Sequence, residues 1–352
     1  MKALLLAGGA GTRLRPLTHT MSKQLVPIAN KPVLLHALDN LRDAGITEVG
    51  VIVGPHGDDV RTLVGDGTRL GLQITCIPQE EPLGLAHCVL ISQDFLGRDD
   101  FVMYLGDNVV LGGVAHLLKQ FRERRPDAMV MVSEVDDPSR YGVAVLGADG
   151  RVCAVAEKPR LAPSRLALVG TYVFGPSIHR AVRAIGPSAR GEWEITDAIG
   201  WLIARGREVR ADVFTGFWRD TGVIEGLLDC NRELLRTLPH SIEGYVDTAS
   251  ELVGDVVVEP GAVISRSRVV GPTVIGAGST VVDSEIGPYT AVGTGCEVRA
   301  THVEDSIVMD GATLHEVRSV ARSVIGRHSR VHSAPAARLI VGDHSRVAVV
   351  CP

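Results

Sequence analysis

The sequence of 352 residues is poor in aromatic side chains, which make up 4% of it, and it has no excess of positive charge. Its formal net charge of -5 argues against nucleic acid or an anionic membrane surface as the main partner. No apolar run reaches the ~20 residues that a bilayer-spanning helix needs. An apolar strand and a glycine-rich loop follow Met1 directly, which leaves no room for a signal peptide. We therefore expect a cytoplasmic protein.

The spacing of the cysteines argues against a zinc site and against a redox-active disulfide. They show no C-x-x-C spacing of the kind that binds zinc or forms a redox-active disulfide. Scattered cysteines of this kind are typical of reduced intracellular thiols. No serine–histidine or cysteine–histidine arrangement for nucleophilic catalysis is recognisable either. The six cysteines are Cys76, Cys88, Cys153, Cys230, Cys296 and Cys351.

What the chain does contain is a glycine-rich loop behind its first strand, where residues 6–16 read LAGGAGTRLRP. Glycines let backbone N–H groups approach phosphate oxygens, and nearby cations add charge. The loop lacks the Gly-Lys-Ser/Thr ending of a Walker A motif, and Leu14 stands where a dinucleotide fingerprint needs glycine. A plain strand-to-helix turn is the alternative interpretation. We predict a triphosphate site formed by Gly8, Gly9 and Gly11 with Arg13, Arg15 and Lys23.

Up to residue 238, apolar strands alternate with amphipathic helices. This pattern predicts an α/β fold with a Rossmann-like, mixed but mainly parallel sheet and helices on both faces. A helix is predicted over residues 33–44, between Pro32 and Gly45. The predicted strands are residues 2–6, 48–53, 72–77, 101–105 and 152–156.

In such sheets ligands bind beyond the carboxyl ends of the strands. The glycine-rich loop follows the first predicted strand, and Gly106, Asp107 and Asn108 follow a later one. We therefore expect these two motifs to meet in space.

Residues 239–352 show a different period. Helical spacing vanishes, and aliphatic residues recur at every sixth position, often followed by glycine or proline. This pattern predicts a parallel β-helix of hexapeptide repeats, in which each short strand buries one aliphatic side chain. A glycine- and valine-rich β-sandwich is the alternative. The predicted inward series are Val258, Ile264 and Val270; Ile275 and Val281; Ile286, Val292 and Val298; and Ile325 and Val331.

Charged residues at strand ends are candidates for phosphate chemistry, which usually requires a divalent cation. Asp107 and Asp220 supply the oxygen donors that Mg²⁺ prefers, although a turn or helix cap would also explain each aspartate. Glu157 and Lys158 place an acid and a base before Pro159 at the end of a predicted strand. A solvated turn is the simpler interpretation of that tripeptide.

Taken together, five segments resemble the sugar-1-phosphate nucleotidylyltransferases: residues 8–18, 22–27, 105–108, 157–159 and 218–222. The chain is most similar to the long members of that family, which carry a C-terminal left-handed β-helix. The left hand follows from this resemblance alone, because ordinary parallel crossovers are right-handed. The repeat half replaces the C-terminal part of the short members, so their tetramer is not carried over. A homo-oligomer of unspecified size is expected.

The resemblance implies a role for each matching residue. Arg13 would stabilise charge on the leaving pyrophosphate, Lys23 would reach the phosphates and Lys158 would hold the sugar phosphate. Mg²⁺ would be bound by Asp107 and Asp220. The implied nucleotide-binding residues are Gly8, Gly9, Gly11, Thr12, Arg13, Gln24, Gln79 and Gly84. Among them, Gln79 and the backbone near Gly84 would read the pyrimidine base. The implied sugar-binding residues are Gly142, Glu157, Lys158 and Val169, with Glu192 or Glu194.

The implied reaction joins dTTP and glucose 1-phosphate into dTDP-glucose and pyrophosphate, the first step towards dTDP-deoxysugars. Residues 80–86 differ from the short members where the base is bound, so UTP or another hexose 1-phosphate remains an alternative. Two other interpretations are an acyltransferase centred on the β-helix and a non-catalytic nucleotide sensor. The acyltransferase is disfavoured because no histidine stands in a recognisable context for a general base. The nucleotide sensor is disfavoured because a non-catalytic protein would have lost its metal ligands, whereas Asp107 and Asp220 are both present.

Overall fold

A computed structural model of the protein describes residues 1–55, 57–333 and 336–348. Within these residues Cys76, Cys88, Cys153, Cys230 and Cys296 are free cysteines, in agreement with the sequence, while Cys351 lies outside the described residues. No helix in this part of the chain combines the length and the hydropathy needed to cross a membrane.

The chain divides into two compact units. The first comprises Met1–Gly9 and Leu34–Trp218, and the second comprises Ala10–Val33 and the chain from Arg219 onward. Most of the glycine-rich loop thus belongs with the C-terminal part of the chain. A functional division between residues 238 and 239 stays a prediction.

The helices and the strands up to residue 220 agree with the predicted alternation, with shifts of about one residue at a few ends. The strands are β1 (Lys2–Leu6), β2 (Pro27–Ile28), β3 (Lys31–Pro32), β4 (Glu48–Val53), β5 (Gln73–Pro78), β6 (Phe101–Leu105), β7 (Asn108–Val110), β8 (Ala128–Glu134), β9 (Gly142–Leu146), β10 (Val152–Glu157), β11 (Leu166–Phe174), β12 (Val209–Val213) and β13 (Trp218–Asp220). The helices are α1 (Val33–Asp43), α2 (Asp58–Val64), α3 (Leu85–Ile91), α4 (Gln93–Leu96), α5 (Ala115–Arg124), α6 (Ile178–Ala184), α7 (Ile195–Ala204) and α8 (Ile224–Leu235).

The first unit is built on a mixed sheet, which has nine strands in the described part of the chain. Its strand order is β10-β9-β11-β6-β1-β4-β5, and β8 links β11 to β12. Strands β6, β1, β4 and β5 run parallel, whereas β11 pairs antiparallel with β6, β8 and β9. The mixed sheet that the sequence predicts is confirmed.

Both faces of this sheet are covered. Successive side chains of a strand point to opposite faces, and Leu4 and Leu5 of β1 are both fully buried. Leu4 packs in one cluster with residues of α6 and α7. On the other face, Tyr104 of β6 is in register with Leu5. Tyr104 contacts α1 there, with its hydroxyl 3.3 Å from Asn40 Nδ2. Helices therefore lie on both faces, as predicted.

The second unit contains three parallel sheets of short strands, with seven, seven and five strands within the described residues. Stacked parallel sheets of this kind form a β-helix, and they are consistent with the left-handed form. The first sheet contains β14 (Ser241–Ile242), β17 (Val256–Val258), β20 (Thr273–Ile275), β23 (Thr290–Val292), β26 (Ile307–Val308), β29 (Val324–Ile325) and β31 (Ile340–Val341). The second contains β15 (Tyr245–Val246), β18 (Val263–Ser265), β21 (Thr280–Val282), β24 (Glu297–Arg299), β27 (Thr313–His315), β30 (Arg330–His332) and β32 (Arg346–Ala348). The third contains β16 (Glu251–Val253), β19 (Arg268–Val270), β22 (Glu285–Ile286), β25 (His302–Glu304) and β28 (Val320–Ala321).

One predicted inward position of the β-helix is wrong. Val270 is only half-buried, whereas its neighbour Val269 is fully buried in the core of the coils. Val269 follows the inward Ile264 after five residues instead of six, and Ile286 follows Val281 in the same way. One side of each of these coils is therefore a residue shorter than the hexapeptide rule predicts. The other predicted inward residues are all buried.

Residues 10–33 belong to the second unit, where they contact α8 and the β-helix. Asn231 of α8 accepts a hydrogen bond from the Ala29 backbone N–H at 2.8 Å and donates one to the Tyr289 carbonyl oxygen at 2.9 Å. Asn30 Nδ2 donates to the Val292 carbonyl oxygen at 2.7 Å. The turn between β2 and β3 is thereby held against the β-helix.

Candidate active site

Two of the predicted motifs meet at the carboxyl ends of β1 and β6. These strands are parallel neighbours with Leu6 opposite Leu105, and the Gly106 N–H donates to the Leu6 carbonyl oxygen at 2.9 Å. A Cβ on Gly106 would lie 2.8 Å from that oxygen, so the close approach of the strand ends requires glycine. Gly8 and Gly9 therefore leave the sheet beside Asp107, as the sequence predicts.

Gly8 of the predicted triphosphate loop lies against Gln79, which with Gly84 forms the predicted base site. A Cβ on Gly8 would lie 3.2 Å from Gln79 Oε1, so a larger residue would press on the glutamine side chain. Gln79 is 6% exposed, and its Nε2 lies 3.5 Å from the Gly84 carbonyl oxygen. The structure thus brings Gly8, Gln79 and Gly84 together within the first unit.

Gly84 joins this cluster to the predicted sugar-binding segment. Its φ is +107°, and a Cβ there would lie 2.6 Å from the Trp193 carbonyl oxygen. That oxygen accepts a hydrogen bond from the Ala86 N–H at 3.0 Å, and the Trp193 N–H donates to the Leu83 carbonyl oxygen at 2.7 Å. Trp193 stands between Glu192 and Glu194, so the two predicted binding segments are paired through their backbones.

Asp107 is oriented by a residue to which the sequence assigned no role. The half-buried Asp107 carboxylate accepts a hydrogen bond from Asn108 Nδ2 at 3.1 Å. The Asn108 Oδ1 in turn accepts one from Trp218 Nε1 at 2.7 Å. Asn108 is 4% exposed, so this amide is a fixed support for the carboxylate. The only signal in the sequence was its place in the Leu-Gly-Asp-Asn motif.

The rest of the glycine-rich loop lies in the second unit. Gly11 has a φ of +63°, and a Cβ there would lie 2.8 Å from the Cβ of Lys23. Thr18 Oγ1 donates to the Gly11 carbonyl oxygen at 2.8 Å. Gly11 thus lets Lys23 lie beside the loop, and the following residue, Thr12, is exposed.

Arg13 and Asp220 are neighbours within the second unit. Arg13 Nη2 lies 3.8 Å from Asp220 Oδ2, and the Gly222 N–H donates to Asp220 Oδ1 at 2.7 Å. A Cβ on Gly222 would lie 2.8 Å from Arg13 Nη2, so glycine leaves room for the guanidinium. The predicted pyrophosphate-binding cation and a predicted metal ligand therefore adjoin.

Gln24 differs from the other predicted nucleotide residues because it is buried. It is 1% exposed, and its Oε1 has no hydrogen-bond partner among the residues that the structure describes. A nucleotide contact by Gln24 stays a prediction.

Glu157 lies at the end of β10, directly opposite Gly142 in the register with β9. A Cβ on Gly142 would lie 3.2 Å from Glu157 Oε2 and 2.9 Å from Thr196 Cγ2. Thr196 Oγ1 donates to Glu157 Oε2 at 3.2 Å. Gly142 therefore leaves space beside a carboxylate whose orientation is fixed by Thr196.

Arg190 contacts all three carboxylates of the predicted sugar site. Its guanidinium lies 3.3 Å from Glu157 Oε1, 3.0 Å from Glu192 Oε1 and 3.4 Å from Glu194 Oε1. The Lys158 Nζ lies 3.3 Å from the same Glu157 oxygen. Sequence reasoning missed Arg190, because an arginine two positions before a glutamate carries no specific signal.

These carboxylates lie close enough to perturb one another. Burial, and then the charge of Glu157, raise the pKa of Glu194. The same two causes raise the pKa of Asp197. A group with several hydroxyls would find hydrogen-bond acceptors here, while an anionic group would require the charges of Arg190 and Lys158.

Lys158 and Val169 have special backbone environments. Lys158 has a φ of +39°, and its N–H donates to the Tyr141 carbonyl oxygen at 3.0 Å. A left-handed conformation at a residue other than glycine is strained and occurs preferentially at functional sites. Val169 is fully buried beside an irregularity of β11 between Leu168 and Tyr172, so its side chain packs in the core. Only its backbone is available for the predicted sugar contact.

This geometry agrees with the comparisons with known proteins. Residues 2–237 match the nucleotidyl transferase family. The chain belongs to this family. It is 54% identical to a glucose-1-phosphate thymidylyltransferase of Streptomyces griseus over 353 residues, which cover 99% of each chain. It is 51% identical to one of Streptomyces antibioticus over 354 residues, again covering 99% of each chain.

A solved structure from Bacillus anthracis, described as a putative glucose-1-phosphate thymidylyltransferase in complex with a sucrose, resembles part of this nucleotidyl transferase. The two share 33% identity with a TM-score of 0.63, and the match covers 68% of this chain and 97% of the other. The likeness supports the α/β fold described above.

The donor set of this nucleotidyl transferase fits a metal that needs few protein ligands. Within the described ranges no group of three or more histidine, cysteine, aspartate or glutamate side chains is placed to hold a metal ion. Mg²⁺ commonly takes only one or two carboxylates and completes its shell with water and phosphate oxygens. Asp107 and Asp220 supply oxygens of this kind, and a hydrogen bond to a neighbour fixes each carboxylate.

Proposed function

We propose that this protein transfers the thymidylyl group of dTTP to glucose 1-phosphate and produces dTDP-glucose and pyrophosphate. The observation that carries the proposal is the backbone pairing of Leu83 and Ala86 with Trp193, which joins the Gly8–Gln79–Gly84 cluster to the carboxylates around Glu157. The proposed base site, in which Gln79 would contact the base, and the proposed sugar site would thus adjoin within one unit. The names of the Streptomyces relatives support this choice of nucleotide and sugar.

No protein nucleophile is required. An oxygen of the sugar phosphate is ionised at neutral pH and attacks the α-phosphorus of the nucleotide in line with the leaving group. A new oxygen–phosphorus bond forms, the bond from the α-phosphorus to the bridging oxygen breaks, and pyrophosphate leaves with the electron pair. The protein therefore has to align two anions and stabilise the developing charge.

Different residues would carry out the alignment of the two substrates and the stabilisation of charge. Lys158 and Arg190 would hold the sugar phosphate, and Glu157 and Glu194 would accept hydrogen bonds from sugar hydroxyls. Lys23, Arg13 and the loop glycines would bind the triphosphate. Because the Arg13 side chain is 58% exposed, it is available to a ligand.

We further propose that Asp107 and Asp220 hold Mg²⁺. The bound ion would supply positive charge to the phosphate oxygens and reduce the repulsion between the two substrates. Asp107→Asn should leave the fold intact, since asparagine fills the same space, and should lower turnover by about a hundredfold or more. Asp66→Asn, at an exposed turn, is the matched control and should leave turnover unchanged. Unchanged turnover in Asp107→Asn would remove this residue from the metal site.

The second candidate is the same reaction with UTP or another hexose 1-phosphate. It is favoured by residues 80–86, which contain Gly84 and differ from the short family members in the region that binds the base. The two candidates share every residue named above and differ only in the groups that the base and sugar sites select.

A matrix of nucleotides against sugar phosphates tests both candidates. Each pair is supplied with Mg²⁺, and pyrophosphate release is measured before and after addition of EDTA. We expect the highest kcat/KM for dTTP with glucose 1-phosphate and no release with EDTA. Release that is highest for UTP or for another hexose would select the second candidate. No release with any pair would overturn nucleotidyl transfer between these substrates.

A further inference from the structure

His87, on helix α3, lies against the side chain that is proposed to contact the base. Its Nδ1 is 3.1 Å from Gln79 Nε2. The same Nε2 lies 3.5 Å from the Gly84 carbonyl oxygen, which can only accept a hydrogen bond. Nε2 is therefore the donor on this side of Gln79, and His87 Nδ1 is its acceptor.

This hydrogen bond requires a neutral imidazole with its proton on Nε2. Burial lowers the pKa of His87, while the carboxylate of Glu81 acts in the opposite direction. The neutral ring is thus the dominant form at neutral pH. The ring is also bounded by Trp193, whose ring centroid lies 6.3 Å away at an angle of 42°.

The other end of the Gln79 amide lies on the Gly8 side. Its Oε1 is 3.2 Å from the place where a Cβ on Gly8 would stand. Because Nε2 is engaged by His87 and Gly84, the oxygen is the group left for a ligand beside the glycine-rich loop. A rotation of the amide by half a turn would place this oxygen against the Gly84 carbonyl and against His87 Nδ1, where both contacts would be repulsive.

We propose that His87 is a positioning residue that determines base specificity, because it holds the Gln79 amide with its oxygen toward the base. An oxygen in that place accepts a hydrogen bond from the N3–H of uracil or thymine. Cytosine has no hydrogen at N3 and presents an acceptor there, so the fixed amide would repel it. The inference rests on the proposed function, in which Gln79 contacts the base.

UTP and CTP make the sharpest pair of probes, because they carry the same ribose and triphosphate and differ only at position 4 and in the hydrogen at N3. The full-length protein would be assayed with each nucleotide, Mg²⁺ and saturating glucose 1-phosphate. The readout is the ratio of kcat/KM for UTP to that for CTP. A purely structural role for His87 would lower both values together and leave this ratio unchanged.

Three variants carry the test. His87→Leu removes the acceptor and should lower the ratio by about tenfold, mainly through the loss of UTP turnover. His87→Asn restores an acceptor oxygen near the position of Nδ1 and should recover most of the ratio. In the background of Gln79→Ala, His87→Leu should change the ratio no further.

Two results would overturn the inference. One is an unchanged ratio in His87→Leu, and the other is the same fall of the ratio with and without Gln79. Circular dichroism checks the fold of each variant, and His87→Met carries the same comparison if the leucine variant does not fold. A wild-type protein that uses neither UTP nor dTTP would instead overturn the proposed function itself, and this inference with it.

Discussion

The backbone N–H of Trp193 donates a hydrogen bond of 2.7 Å to the carbonyl oxygen of Leu83. Together with the return bond from the Ala86 N–H to the Trp193 carbonyl oxygen, it pairs two segments that lie far apart in the sequence. One segment carries Gly84 of the proposed base site, and the other carries Glu192 and Glu194 of the proposed sugar site. A displacement of either segment must therefore be transmitted to the other.

Gly84→Ala should damage both sites. A side chain at positive φ costs about 1 kcal/mol, and at Gly84 it would also collide with the Trp193 carbonyl oxygen. Gly97 is the matched control, since it has a φ of +59° but open space around it. We expect Gly97→Ala to lower the free energy of unfolding by about 1 kcal/mol without loss of activity.

Gly84→Ala should cost about 3 kcal/mol and raise the KM for both substrates. Urea unfolding followed by tryptophan fluorescence measures the difference, because Trp193, Trp201 and Trp218 all lie in the first unit. Equal effects of the two alanines on stability and KM would contradict the importance of the contact with Trp193.

Arg190→Met should weaken the binding of the sugar phosphate. The substitution removes the cation that lies between Glu157, Glu192 and Glu194, so the cluster would repel the phosphate. We expect KM for glucose 1-phosphate to rise about tenfold at pH 7, with little change in KM for the nucleotide. Since the pKa of Glu194 is raised by burial and by the charge of Glu157, its protonation at acidic pH should reduce this penalty relative to wild type.

The control for this prediction is Arg165→Met. Arg165 pairs with Glu134 and Asp136 and is exposed, so its loss should leave both KM values unchanged. Initial rates over a range of glucose 1-phosphate concentrations and pH values provide the comparison. A penalty for Arg190→Met that is equal for nucleotide and sugar phosphate would contradict a specific role at the sugar site.

His179→Phe should stabilise the first unit. His179 is buried, its ring stacks on Phe101, and both ring nitrogens have no hydrogen-bond partner among the described residues. Phenylalanine keeps the ring and removes the buried polar atoms, so we expect a gain of about 1 kcal/mol in the free energy of unfolding at pH 8.

The gain in the free energy of unfolding that we expect for His179→Phe should be larger at acidic pH. Burial, and then the charge of Arg183, lower the pKa of His179 in the folded protein. The unfolded chain therefore takes up a proton first as the pH falls, which destabilises the wild type below about pH 6.5. Urea unfolding at several pH values, followed by tryptophan fluorescence, should show a shallower acid dependence in the variant. An identical acid dependence would show that His179 does not titrate in this way.

Two adjacent valines test whether the spacing of inward residues is five instead of six after Ile264 in the β-helix. Val269 is fully buried in the core of the coils, whereas Val270 is half-buried. Val269→Ala should therefore lower the free energy of unfolding by about 2 kcal/mol, and Val270→Ala by under about 1 kcal/mol. Thermal unfolding followed by far-UV circular dichroism measures both variants. A larger loss of stability in Val270→Ala than in Val269→Ala would instead support the strict hexapeptide spacing at this position.

Much of the fold follows from local patterns. The continuous apolar runs of β1 and β6 and the amphipathic pattern of α1 specify their own secondary structure, because each depends on neighbours in the sequence. The six-residue period of the second half specifies short strands for the same reason. The shift from Val270 to Val269 escaped prediction because two adjacent valines are equally apolar, and only the path of the coil decides which one faces inward.

The candidate site also contains some residues that the sequence identified and others that it did not. Gly8, Gly11, Asp107 and Glu157 were recognisable because each belongs to a short motif at the end of a strand or in a loop. Their roles in binding dTTP, Mg²⁺ and glucose 1-phosphate stay predictions. Arg190 and Asn108 acquire their meaning from the partners that they contact, and those partners come from distant parts of the chain.

By itself, the sequence determined the alternation of strands and helices, the glycine-rich loop, the repeats and the residues that could carry chemistry. These features depend on backbone conformation and periodicity within a few residues. Only the tertiary structure decided that Trp193 pairs with Leu83, that His87 holds Gln79 and that Arg190 contacts three carboxylates. Such contacts depend on which distant segments pack together, and no local pattern of residues specifies that packing.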